Sequence, residues 1–400
     1  MISPALLARV ACPVCLEAAG CRRCTDGAGH ASCAQRYAER VACVCGGPDK
    51  VRLEARGDAL ECSCCGARYA VHREAGYVEL VPAQAVGEGT HYADHEFHER
   101  LGVTEAPPLL SAGIKFEWMR RLLDLRPGED VLDLGSGAGK FTLACAKAGI
   151  RATGVDVAPF FLPGAVKQVD LVVGDLRRLP FRKGTFPAAY SLDVLEHLDE
   201  AGVCEVLVEA RRVIGDSGRL LVYTHAMESS RIASFQRAVN RLARRLGRAG
   251  LIDHEREAMR KSDHRNPLRS HEHFDALCTS AQLTVTERRY YNVVAKAVVE
   301  DLGLRLFEQL RNRKKAAPPS HEHEHEHGAE HAHEPGARTL GAPMPGRGQL
   351  LVGRLLTAVL RLDMFLFGRV RTGPFFGLIR AVPRAVPSPA EVGARAGETA

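Results

Sequence analysis

The chain lacks any stretch approaching the roughly 20 uninterrupted apolar residues that a membrane-spanning helix requires, so a spanning protein is not expected. Met1 to Val10 has too short an apolar core for a secretory signal, and a cytoplasmic location is expected. Charge of one sign is not in large excess. Lys and Arg number 54 against 48 Asp and Glu, a net charge of +6, so whole-molecule steering towards nucleic acid is not implied, although a local patch can still act. Two phosphate-binding patterns are also missing from the glycine-rich stretch near residue 135. A dinucleotide fingerprint would need a glycine where Lys140 stands. A P-loop would need a glycine in place of Leu134 and a Ser or Thr in place of Phe141.

What is present is a chain of 400 residues, 46% hydrophobic, long enough for two or more units and a sizeable core. Its organising stretch is Val131-Leu132-Asp133-Leu134-Gly135-Ser136-Gly137-Ala138-Gly139-Lys140-Phe141. A short apolar run ends in alternating glycines, and Thr142 to Ala148 then reads as the start of a helix. Glycines permit unusual dihedrals and close approach of a ligand, and the free N–H groups of a helix start favour electronegative ligand atoms. With acidic Asp133 two residues before the first glycine, the string resembles the first motif of class I S-adenosylmethionine-dependent methyltransferases of the type 11 kind.

Three further matches follow in the family's order. Gly154-Val155-Asp156-Val157 ends the next apolar run on a carboxylate, where acidic side chains bind ribose hydroxyls. Val172-Val173-Gly174-Asp175-Leu176 ends a third run. The resemblance implies that Asp175 takes the adenine amino group while Leu176 covers the ring. Phe186 to Leu192 is a fourth run, followed by Asp193-Val194-Leu195-Glu196-His197-Leu198, which is similar to the family's segment beneath the methionine part of the cofactor. The implied S-adenosylmethionine contacts are Asp133, Gly135, Ser136, Gly137, Gly139, Asp156, Val157, Asp175, Leu176, Ser191 and Leu192. The competing reading is a doubly wound domain whose strand-end acids only cap helices.

Ten of the thirteen cysteines fall between Cys12 and Cys65, which in a reducing compartment reads as metal ligands before disulfides. Cys12-Pro13-Val14-Cys15 and Cys62-Ser63-Cys64-Cys65-Gly66 form two knuckles, and Cys12, Cys15, Cys62 and Cys65 give a closed four-thiolate zinc site. Residues 60–80 resemble the small zinc-ribbon segment found before some bacterial methyltransferases. An insertion between the knuckles offers Cys21, Cys24, Cys43 and Cys45 for a second zinc; its alternative is a cysteine-rich loop with free thiols.

Residues 82–90 read as a linker, and Tyr92 and His95 as lid residues or as solvated helix positions. After the core motifs, a helix over 201–214 and a strand over 219–224 lead to His225, at the strand end where open α/β sheets place ligands. His197 and His225 are the candidate bases. Residues 227–249 read as a helix with Arg231, Arg237, Arg241, Arg244, Arg245 and Arg248 against the single acid Glu228, suited to an anionic small molecule, a lipid surface or RNA phosphate, with a solvated helix face as the alternative. The run His321 to His327 alternates with glutamate and cannot build a core. Residues 349–367 and 374–382 resemble the family's terminal helix and seventh strand, with a membrane-surface helix as competitor.

The expected fold is α/β: a zinc-ribbon domain over 1–81 and a doubly wound, seven-stranded, Rossmann-like methyltransferase sheet over 88–386. Insertions are expected at 226–270 and 316–346, and a disordered tail at 387–400. The expected function is methyl transfer to a small-molecule, natural-product or lipid-like acceptor. A zinc-containing RNA methyltransferase and a non-enzymatic metal-binding scaffold are the alternatives.

Overall fold

A computed structural model describes residues 2–13, 16, 53–63, 65–81, 94–101, 103–227, 231–249, 262–265, 267–291, 298–299 and 346–382. The main sheet grows from β5 (Asp130–Leu134), β6 (Arg151–Asp156), β7 (Asp170–Val173), β8 (Ala188–Leu192), β9 (Arg219–His225), β10 (Leu283–Tyr290) and β11 (Pro374–Ala381). Their order is β7-β6-β5-β8-β9-β11-β10. The first five are parallel, and β11 runs antiparallel between β9 and β10. Both faces are covered, so the central strands read as nearly continuous apolar runs. Their residues alternate between two cores: Leu132, Leu134, Ala189, Leu220 and Val222 face one, while Val131, Tyr190, Leu221 and Tyr223 face the other.

Helices follow the strands as the periodicity requires. The N-terminal α1 (Pro4–Arg9), α2 (His95–Leu101) and α3 (Leu110–Leu122) precede β5. Then come α4 (Lys140–Lys147), α5 (Pro163–Gln168), α6 (Glu200–Ile214), α7 (Arg231–Arg248), α8 (His271–Ser280) and α9 (Arg347–Phe367). Asp199 starts α6 by accepting the Gly202 N–H through its side chain, the usual service of an acidic N-cap. The expected terminal helix and seventh strand are thus α9 and β11.

The cysteine-bearing N-terminus shares this core. β1 (Leu53–Arg56), β2 (Ala59–Cys62), β3 (Arg68–His72) and β4 (Tyr77–Glu79) form an antiparallel meander, and β4 pairs in parallel with β7 through Val78–Val172 and Glu79–Val173. Leu60, Tyr69 and Val78 are buried in the same cluster as Leu132 and Val172. α1 is fastened as well: Ala11 donates to the Pro180 carbonyl at 2.9 Å and Arg9 pairs with Asp130 at 2.6 Å. The meander therefore covers an edge that β7 would otherwise leave open.

Candidate functional site

Strand order reverses at β5, which places a crevice outside the carboxyl ends of β5, β6 and β8. There the chain turns from β5 into α4 through Gly135, Gly137 and Gly139, whose φ angles are +79°, +51° and +77°. At Gly135 a Cβ would come 2.5 Å from Val194 Cγ2, and at Gly139 2.9 Å from Ala165 Cβ, so dihedral and space both demand glycine. At Gly137 a Cβ would meet nothing within 4 Å; there the backbone borders open space. Asp156, the last residue of β6, holds the turn: its Oδ2 accepts the Gly137 N–H at 2.7 Å and its Oδ1 the Ala158 N–H at 3.2 Å. Burial pushes its carboxyl pKa up, against the pull of those N–H groups and of nearby His98.

The remaining cofactor candidates divide into two sets. Gly135, Gly137, Asp156, Val157, Asp175 and Leu176 are at least partly exposed around the crevice. Asp133, Ser136, Gly139, Ser191 and Leu192 lie in the layer beneath it, where Asp133 is 3% exposed. The Asp133 Oδ2 accepts hydroxyl protons from Thr142 at 2.6 Å and Tyr190 at 2.8 Å, tying β5, α4 and β8 together under the glycine turn. Burial raises this carboxyl to about 7 despite both hydrogen bonds. Asp175 caps the 3-10 turn Leu176–Arg178 by accepting the Arg177 N–H at 2.8 Å, and pairs with the Arg177 guanidinium at 2.9 Å. Capping, the competing reading of the strand-end acids, is therefore a real part of what Asp175 does.

Beyond the cofactor crevice, β8 and β9 end side by side. Asp193 follows β8 with φ +57°, Glu196 sits in the 3-10 turn Leu195–His197, and His225 is the last residue of β9. Lys115 from α3 donates to Asp193 Oδ2 and lies 4.4 Å over the Tyr223 ring. Glu196 is buried, its Oε2 accepting from Thr224 Oγ1 at 3.0 Å. Burial works to raise the Glu196 carboxyl, yet the neighbouring His225 and His197 hold it well below the usual carboxylate range. His197 is engaged elsewhere, with Nδ1 2.7 Å from Asp263 and its ring against His264. His225 is the more open of the two candidate bases, its side chain 36% exposed against 14%.

Sequence reasoning did not single out Lys115, Asp193 or Glu196 as site residues. The signal available for the two acids is their place just past the fourth apolar run, at a strand end where open α/β sheets place ligands; Lys115 has none. On the lid side, His95 and His98 of α2 pack against Phe160, with ring centroids 5.3 Å and 4.8 Å apart. Tyr92 lies outside the described residues. On α7, Arg241, Arg244, Arg245 and Arg248 are exposed; the side chains of Arg231 and Arg237 lie outside the described set.

Among the N-terminal cysteines, Cys12, Cys62 and Cys65 bring their sulfurs within 4.8 Å of one another. Cys12 Sγ is 3.6 Å from Cys65 Sγ and 3.0 Å from the Tyr69 hydroxyl. Two thiolates of one tetrahedral zinc, each about 2.3 Å from the ion, stand about 3.8 Å apart, so the three thiols fit such an ion. Cys15, Cys21, Cys24, Cys43, Cys45 and the histidine-rich run lie outside the described residues.

Residues 132–222 match the family model of a methyltransferase domain. The demethylmenaquinone methyltransferase of Corynebacterium kroppenstedtii is 36% identical over 118 residues, 28% of this chain and 51% of the relative. The sterol 4-C-methyltransferase of Caenorhabditis elegans is 30% identical over 110 residues, 25% of this chain and 32% of the relative. The chain thus spans about half the length, or less, of these curated relatives. Among solved structures, a Haemonchus contortus phosphoethanolamine N-methyltransferase 2 complex with S-adenosylhomocysteine aligns at 14% identity and TM-score 0.42, over 74% of this chain and 61% of that one. With the glycine turn, the strand-end acids and the strand order in place, the family match identifies residues 132–222 as a methyltransferase domain, set in a sheet of the class I methyltransferase kind.

Proposed function

We propose that the protein transfers a methyl group from S-adenosylmethionine to a small, lipid-like acceptor. The observation that carries the cofactor half is the glycine turn, open at Gly137 and pinned to the Asp156 carboxylate. A ribose on this carboxylate would use the lone pairs left over from Gly137 and Ala158. Val157 and Leu176 lie next to the two strand-end acids, where they can flank an adenine ring. Asp133 and Ser191, being buried, support the turn from below.

When bound, the cofactor supplies an electrophilic methyl group: the methyl–sulfur bond breaks with its electron pair left on sulfur as the acceptor atom forms the new bond to carbon. The chain must hold the acceptor in line and give its proton, where it has one to lose, a place to go. His225 is the better placed of the two histidines for that proton, because the His197 ring is held by Asp263 and His264. Zinc in the Cys12, Cys15, Cys62 and Cys65 set is structural in this reading, since four thiolates leave no open position.

Two observations support a lipid-like acceptor. The relatives named above act on demethylmenaquinone and a sterol, and α9 exposes Leu351, Leu355, Leu362, Phe365 and Leu366. The exposed arginines of α7 sustain the RNA reading as the rival. Labelled cofactor incubated with fractionated extract separates them: label is expected in the lipid fraction, and label in RNA, with binding that falls steeply with salt, would promote the rival. In the same material, Asp156→Ala is expected to weaken S-adenosylhomocysteine binding roughly ten- to hundred-fold, the about 1.5–3 kcal/mol of a hydrogen bond to a charged group. Equal calorimetric affinity for mutant and wild type removes Asp156 from the ribose role.

A further inference from the structure

We infer that Asp193, Glu196 and His225 form a divalent-cation site at the carboxyl ends of β8 and β9, placed to hold an oxygen of the methyl acceptor. The placement beside the acceptor rests on the methyltransferase reading; the cation site itself stands on geometry. β8 and β9 are parallel neighbours paired as far as Leu192 and Tyr223, so the residues that follow Leu192 emerge beside His225. One ligand atom from each of Asp193, Glu196 and His225 lies within 4.8 Å of the others.

The buried carboxylate points to a missing ligand. Glu196 is 1% exposed, and its Oε1 makes no hydrogen bond among the described residues; neither does His225 Nδ1. The two atoms nevertheless stand 3.3 Å apart, near enough to interact but without hydrogen-bond geometry. A buried carboxylate oxygen that has a charge beside it but accepts no hydrogen bond is only partly satisfied. Two ligands of a single ion, each about 2.0–2.3 Å from it, stand about 2.8–3.8 Å apart for angles between about 90° and 110°, a range that includes the separation seen. The surroundings fix the donors as the outer partners of a metal site do: Thr224 Oγ1 holds the other Glu196 oxygen at 3.0 Å, and Lys115 holds Asp193 Oδ2. Asp193 itself adopts a left-handed φ of +57°, uncommon outside glycine and frequent at functional sites.

Two carboxylates and one imidazole favour a hard or borderline ion such as Mn2+ over one that seeks sulfur, so this site is chemically distinct from the cysteine cluster. The Lys115 charge offsets one carboxylate, which lowers the negative charge presented to the cation. Three protein ligands leave positions open for a hydroxyl, phenol or quinol oxygen of the acceptor; with the cation in place His225 is a ligand and no longer the base, and the cation instead makes that oxygen easier to deprotonate.

The test is titration of the full-length protein with Mn2+, following the paramagnetic signal of the free ion, alongside calorimetry of S-adenosylhomocysteine binding. Wild type is expected to bind one Mn2+ per chain that Asp193→Asn and Glu196→Gln each weaken at least ten-fold. Asp193→Asn suits the left-handed backbone and guards against a folding defect in the buried variant. The histidine-rich run is common to all three proteins and drops out of the comparison. Identical Mn2+ binding by wild type and both variants overturns the site, and retained cofactor binding in that case leaves the methyltransferase reading standing. Variant-sensitive Mn2+ binding without cofactor binding does the reverse.

Discussion

Asp133 shows how one buried side chain can support a site from beneath. Its carboxyl lies under the glycine turn, hydrogen-bonded by Thr142 and Tyr190, and burial raises its pKa to about 7. The unfolded value is about 3.9, so the native state binds this proton more tightly than the unfolded chain does. The stabilisation is therefore full at low pH and is lost as pH rises from about 4 through about 7. Asp133→Asn removes the titration. The melting temperature of wild type minus that of the variant is expected to fall by roughly 5–10 °C between pH 5 and pH 8. Parallel pH profiles would show that Asp133 keeps an ordinary carboxyl in the native protein. Asp133 was legible in the sequence because it precedes the first glycine by two residues; that it lies beneath the crevice was not, since depth depends on Thr142 and Tyr190 arriving from other elements.

At the scale of elements, the legible parts are those in which one or two residues dictate backbone. Positive φ at Gly135, Gly137 and Gly139 can be read from residue type, and the strand-end acids from their order. The Lys115–Asp193 pair joins residues 78 apart, a contact set by how α3 packs. The pairing of β4 on β7 runs through backbone hydrogen bonds, which leave no side-chain signature. That pairing changes what the cysteine knuckle is expected to do. Cys62 ends β2, and Gly66 donates to the Cys62 carbonyl at 2.9 Å in the knuckle turn, while neighbouring Leu60 sits in the main core. Cys62→Ser, assayed after deleting residues 316–346 to remove adventitious histidine sites, is expected to lose one zinc per chain and to lower the melting temperature of the whole protein. Unchanged zinc content would show this ligand set to be wrong; zinc loss that leaves the melting temperature unmoved would show that the meander and the sheet unfold separately.

For the whole molecule, the lipid-like acceptor proposed above needs a route to the crevice. No helix of the described residues is long and apolar enough to cross a membrane, but α9 carries an apolar face turned outward. Leu351, Leu355, Leu362 and Leu366 are each more than half exposed and Phe365 is 82% exposed, while Leu360 and Met364 on the opposite side join the core. The helix has exposed arginines at 347 and 354, a third at 361 that pairs with Glu117 of α3 at 2.8 Å, and one acid, Asp363, which is buried. Such a face, apolar and flanked by Arg347 and Arg354, suits the interface of an anionic bilayer. Its position suits it too: Thr357 accepts the Leu110 N–H at 2.8 Å, docking α9 on α3, the helix whose Lys115 reaches Asp193 beside the crevice. We expect the protein to cosediment with vesicles containing phosphatidylserine, less so with neutral ones, and Leu355→Glu with Phe365→Glu to reduce that binding at least ten-fold. S-adenosylhomocysteine affinity should stay unchanged in the double variant, because neither side chain belongs to the crevice. Should the wild type ignore vesicles and sediment as a dimer that the same substitutions dissociate, α9 is a seam between two copies of the chain, and the acceptor reaches the crevice without help from this helix.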